Sequence, residues 1–150
     1  MDSMKRNGLL AGLVFAAWQY IVFFTGINKT DFGSFSIFVP IPVYIVCLFM
    51  AIRAKRAELG GFMEFADGLK TGLGASAITA IVYSISKYIY ARWVNLNWIA
   101  EYTNVQNPDS QLYTPFRVSL VALAGILFMG GIISIILAAT MRKKQPTHTV

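Results

Sequence analysis

The side chains best suited to chemistry in this sequence are few and scattered. The single histidine, His148, is third from the end, far along the chain from any serine in an apolar stretch. Gly74-Ala75-Ser76 loosely matches an intramembrane serine-protease signature. A serine nucleophile needs a base within hydrogen-bond reach, and none stands in a position to serve. The one cysteine, Cys47, lies in an apolar run without a CxxC partner, so it reads as a small apolar residue. Of the seven acids, Asp31, Glu101 and Asp109 fall in one pair of loops, and Asp2, Glu58, Glu64 and Asp67 fall at the opposite ends of the apolar stretches. No carboxylate is central to a stretch, where proton-driven transport would need one. There is no phosphate loop and no metal-ligand spacing, so no catalytic, cofactor-binding or metal residue and no enzymatic activity are expected. Lys87 is the deepest charge. Its long stem is expected to carry the ammonium out to the headgroups, with a buried functional lysine as the alternative.

The strongest pattern concerns packing. Gly68, Gly72, Ser76, Ala80 and Ser84 recur at every fourth position. Residues four apart share a helix face, so they form a groove of small side chains. Such grooves let helix backbones approach closely in lipid, where no hydrophobic drive brings helices together. A shorter copy, Gly8, Gly12 and Ala16, precedes it, and Gly130, Ser134 and Ala138 follow it. The grooves serve either packing within the chain or an interface with itself or another membrane protein.

The elements that must position these residues follow from composition. The chain has 150 residues, 56% hydrophobic and 13% charged, with mean hydropathy +0.57. Soluble domains carry roughly twice that share of charge. Four apolar stretches, at about 8–27, 35–53, 68–91 and 115–141, are each near the roughly 20 residues a span needs. The first is longer and more aromatic than a signal-peptide core, so it reads as a retained span. Pro40 and Pro42 place the regular start of the second near themselves, because proline is tolerated in a first helical turn. Gly60-Gly61 ends that helix, and Glu64 and Asp67 favour a new helix start where the dipole welcomes acids. Trp93, Trp98, Tyr102 and Tyr113 mark an interfacial region, with the third helix expected to run past Trp93. The fold expected is all-α: one membrane domain, a four-transmembrane-helix bundle.

Charge sets the orientation. Lys5, Arg6, Arg53, Lys55, Arg56, Lys70, Arg142, Lys143 and Lys144 lie on one side, nine of the 13 cations; Lys29, Lys87, Arg92 and Arg117 lie on the other. Positive loops stay in the cytoplasm, which puts both termini and the middle loop inside. The net charge of +6 is thus a topology signal, and no nucleic-acid partner is expected. Arg53, Lys55, Arg56, Arg142, Lys143 and Lys144 also make a candidate contact for anionic lipid headgroups.

The run from Arg53 to Gly72, RAKRAELGGFMEFADGLKTG, resembles an uncharacterised bacterial family, domain of unknown function four-one-nine-nine. The likeness rests on the basic stretch, Gly60, Gly61, Phe62, Phe65 and Gly72. It implies a small multi-pass inner-membrane protein with four spans, and no particular activity. The bilayer itself is then the first partner. The function expected is a non-enzymatic structural or accessory membrane component, packing through its small-residue faces. The alternative is a small transporter or lipid-handling protein with a polar cavity between the spans.

Overall fold

The computed structural model describes residues 2–95 and 114–143, and these are all helical apart from turns and one isolated bridge. Helix α1, Ser3–Phe24, begins where the Asp2 carboxylate accepts from the Met4 backbone N–H at 3.3 Å. Two 3-10 segments follow, Ile27–Lys29 and Asp31–Phe38. The second is tied back to α1 by the Trp18 indole, whose Nε1 donates to the Ser36 carbonyl at 2.7 Å. Helix α2, Ile41–Glu58, carries Pro42 in its first turn, where no intrahelical N–H is lost. The expected second span therefore divides: residues 35–38 form a 3-10 turn, and the regular helix overruns Arg53.

The break after α2 is made by Gly60 and Gly61, at φ +70° and +89°. Side-chain-bearing residues rarely occupy this region, so the glycine pair sets the turn. Arg56 locks it: its carbonyl accepts from the Gly61 N–H and its Nε donates to the Gly61 carbonyl, both at 2.9 Å. Met63 then pairs with Lys143 through two backbone bonds of 3.0 Å. Helix α3, Phe65–Ile89, passes into a π-helical turn at Tyr90–Val94, so helical backbone continues just past Trp93. Helix α4, Pro115–Met141, opens on the Thr114 hydroxyl, which accepts from the Arg117 N–H at 3.3 Å.

Helix α3 is the centre of the bundle. It packs along α1 on one face and α4 on another, while α2 leans on α1 and α3 and touches α4 at few points. Of the four α-helices among the described residues, α1 and α4 are long and apolar enough to cross a membrane. Helix α2 carries Arg53, Lys55, Arg56 and Glu58 in its last turns, and α3 is diluted by glycine, serine and threonine.

The close approach of α3 and α4 leaves no room for a side chain at position 72. A Cβ there would stand 2.6 Å from the Ser134 Cβ, whereas one at Gly125 would meet nothing within 4 Å. Gly72→Ala is expected to lower bundle stability by about 1–3 kcal/mol through overpacking. Gly125→Ala is expected to raise it by up to about 1 kcal/mol through helix propensity. Unfolding followed by circular dichroism in detergent checks both, and equal effects would contradict the seam geometry.

Candidate functional site

Two features of the bundle have enough shape to serve function: a seam of small residues along α3, and a cleft where α2 and α4 diverge. The seam is built from the four-residue spacing on each helix. Gly68 lies against Ala138, Gly72 against Ser134, and Ser76 against Gly130. As one helix advances by four the other retreats by four, an antiparallel pairing of small faces. Further along, the Ser84 hydroxyl donates to the Ser119 carbonyl at 2.8 Å. Gly68, Gly72, Ser76, Ala80 and Ser84 are all buried. Gly8 and Gly12 are buried against a second, adjoining face of α3, Gly8 against Ala75 and Ile78, Gly12 against Thr79 and Val82. Here both helices advance together, so α1 and α3 run parallel. Thr79 Oγ1 joins them by donating to the Gly8 carbonyl at 2.9 Å.

The structure thus fills each small-residue face from within the chain. The α3 hydroxyls among them are held by backbone: Ser76 Oγ donates to the Gly72 carbonyl at 2.8 Å. Ser134 Oγ is buried with no hydrogen-bond partner among the described residues.

Tyr44 is the residue that sequence pattern did not single out. It is fully buried, and its hydroxyl reaches across from α2 to donate to the Ile126 carbonyl at 3.3 Å. The Tyr44 and Ser76 hydroxyls both sit over Gly130, in the space a Cβ would take. Phe15 meets Tyr44 edge-on at 5.6 Å and Tyr83 at 5.4 Å, so one aromatic group links α1, α2 and α3. A tyrosine inside an apolar run was the available signal, though its partners lie on helices far along the chain. Gln19 was also passed over. Its amide nitrogen and oxygen are shielded in α1 and find no partner among the described residues.

On either side of Tyr44 the gap between α2 and α4 stays open. The larger opening has a volume of about 500 Å³. Its walls include Phe15, Ile41, Val121, Gly125 and Met129, and Lys87 is the one charged residue among the described residues that line it. The Lys87 ammonium stands 5.5 Å from the Tyr90 ring centroid. The side chain is half-buried, and among the described residues no carboxylate lies within 4.0 Å of it. The ammonium is thus directed one turn along the helix, over the Tyr90 ring, at the edge of an apolar cleft. The smaller opening, about 380 Å³ beyond Tyr44, is lined by Arg53, Arg56 and Met141 among others.

The basic residues divide by role. Arg53, Arg142 and Lys143 are exposed, and Lys55 and Arg56 half-buried. Lys55 pairs with Glu58 at 3.2 Å, an exposed pair worth about 0–1 kcal/mol. Arg56 closes the glycine turn, and the Lys143 ammonium lies 5.7 Å from the Phe62 ring centroid. Lys144 lies outside the described residues, as do His148, Trp98, Tyr102 and Tyr113. Among the described residues no group of three or more His, Cys, Asp or Glu is gathered as a metal site would require.

Fold and surface together define an all-helical protein, with two helices apolar enough to cross a membrane and small residues at its centre. The chain belongs to the family described as "Protein of unknown function (DUF4199)", whose model matches residues 6–143. No curated protein and no solved structure matches the chain significantly.

Thr79→Val keeps the shape of the side chain and removes the bond from α3 to the Gly8 carbonyl. The expected loss is about 0.6 kcal/mol, the average measured for interhelical hydrogen bonds in a membrane bundle, with about 1.7 kcal/mol as the upper end. Equilibrium unfolding in mixed micelles reads it, and an unchanged midpoint would show that the bond contributes nothing.

Proposed function

We propose that this chain is a multi-pass inner-membrane protein whose four helices all cross the bilayer, and that it acts as a non-enzymatic structural or accessory component. The observation that carries this reading is the inside-out distribution of polarity. Leu13 and Ile21 on α1, Val46 and Met50 on α2, Ile81 and Ile85 on α3, and Phe128 and Ile136 on α4 are between 47% and 74% exposed. Ser76, Thr79 and Ser134 at the centre are fully buried. Soluble monomers rarely expose contiguous apolar patches beyond a few hundred Å². A surface that is apolar on all four helices, around a core of small and hydroxyl-bearing residues, suits lipid as solvent.

The charged α2 terminus and the diluted α3 are compatible with spanning once packing is considered. The cations of α2 gather in its last turns, where long stems reach the headgroups. The small polar residues of α3 face other helices, where their hydroxyls bond to backbone carbonyls at 2.8–2.9 Å. The positive-inside count then puts both termini and the glycine turn in the cytoplasm.

This arrangement also bears on partners. The small-residue faces are occupied within the chain, so a second copy or another membrane protein would meet the outer apolar surface. Transport through a polar centre draws no support here. Ser76, Thr79, Ser84 and Ser134 line neither of the openings between α2 and α4.

In a Cys47→Ser background, Lys29→Cys is expected to react with a membrane-impermeant thiol reagent on intact cells. Glu58→Cys and Thr147→Cys are expected to react only after permeabilisation. The reverse pattern would overturn the orientation. Release of the protein from membranes by alkaline carbonate would overturn embedding altogether.

A further inference from the structure

The cleft between α2 and α4 combines an apolar wall, one cation and a definite length. Along α4 it runs from Val118 to Met129. At about 1.5 Å per residue this is roughly 16 Å of helix. Half the hydrocarbon thickness of a bilayer is about 15 Å, so the cleft is as long as one leaflet is deep. Lys87 stands at one end of it. The α3–α4 pairing sets position 87 near Val118, at the start of α4, and the walls beyond are apolar down to Phe15 and Met129.

A cation held in such a wall is costly unless an anion meets it. Tyr90 offers a ring face at 5.5 Å, but among the described residues no carboxylate is within 4.0 Å of the ammonium. An anion arriving from the bilayer would supply that partner. Its remaining bulk must be apolar and slender. The volume of about 500 Å³ falls in the range of roughly 300–1,000 Å³ typical of small-molecule pockets. A helix of a partner protein, about 10–12 Å across, is too wide for it.

We propose that this cleft holds one acyl chain of an anionic phospholipid of the outer leaflet, with the lipid phosphate on the Lys87 ammonium. The chain lies along Val121, Gly125 and Met129, and the absent side chain of Gly125 leaves room for it: a Cβ there would meet nothing within 4 Å. Arg92 and Arg117, exposed at the same end, add to the attraction at the surface but do not enter the cleft in the way Lys87 does. The assignment rests on the membrane-embedded reading and its orientation.

The test uses the full chain reconstituted in vesicles of equimolar phosphatidylcholine and phosphatidylglycerol, re-extracted in mild detergent and weighed by native mass spectrometry. Wild type is expected to retain phosphatidylglycerol over phosphatidylcholine by about fivefold, the preference one cation near a headgroup gives. Lys87→Gln should retain lipid without preference, and Lys87→Arg should restore the preference. Ala122→Trp, which fills the cleft and leaves Lys87 alone, should lose lipid of both kinds. An even lipid ratio in wild type would overturn the proposal, as would an undiminished preference in Lys87→Gln or full lipid retention in Ala122→Trp. So would photo-crosslinking from position 121 to residues 96–113 of the same chain instead of to lipid. Carbonate extraction of the same vesicles separates the two failures. Protein that stays embedded yet shows no headgroup preference refutes the lipid site alone, and protein that washes out refutes the embedding beneath it.

Discussion

At Gly72 and Gly130 the backbones of α3 and α4 come so close that even one methyl group has no place. Ser134 fills the space over the first, and Ser76 with the Tyr44 hydroxyl fills the space over the second. Everything else in the bundle is arranged around that approach. It brings α3 and α4 into antiparallel register and lets Ser84 reach the Ser119 carbonyl. It leaves an adjoining face of α3 for Gly8 and Gly12 of α1. A helix that must be narrow on two faces has little surface left for bulk, which is why α3 is rich in glycine, alanine, serine and threonine.

The same constraint explains the asymmetry of the fourth helix. With α4 drawn against α3, it can meet α2 only over a short length. Tyr44 bridges that length with one hydrogen bond to Ile126, and Ile52 with Leu137 and Met141 closes the lower end. On the Ile41 side of Tyr44 the surfaces separate. The cleft beside Lys87 is thus a consequence of packing two helices closely on α3 while a third is held away by its own contacts with α1. In the membrane setting proposed for this chain an apolar opening is inexpensive, because lipid chains can fill it as well as side chains can. A cation in its wall is expensive, and that contrast is what sets Lys87 apart from the surface cations.

The basic ends show a second economy. Arg56 and Lys143 belong to the set that charge counting assigns to topology, yet each has a local task. Arg56 holds the Gly60-Gly61 turn, and Lys143 lies over Phe62 while its backbone pairs with Met63. The turn between α2 and α3 is therefore anchored to the end of α4, and the glycine pair, the aromatic and the basic stretch that carry the family likeness form one small structural unit.

Much of this was legible in the chain itself. Hydrophobic run lengths, the prolines at 40 and 42, the glycine pair and the acids at 64 and 67 located the helices, because these signals act within a turn or two of backbone. The four-residue recurrence of small side chains identified the narrow faces for the same reason. What the sequence left open was which face met which, since helix pairing is decided by contacts between residues about 60 to 80 positions apart. Ser134 over Gly72, Thr79 to the Gly8 carbonyl and Tyr44 to Ile126 are of that kind. Lys87 is the clearest case. Its position near a span end suggested a side chain reaching for the headgroups, and that rule says nothing of which helices flank it. Only the tertiary structure, by parting α2 from α4 and setting Tyr90 beside the ammonium, decided that this lysine borders a cleft.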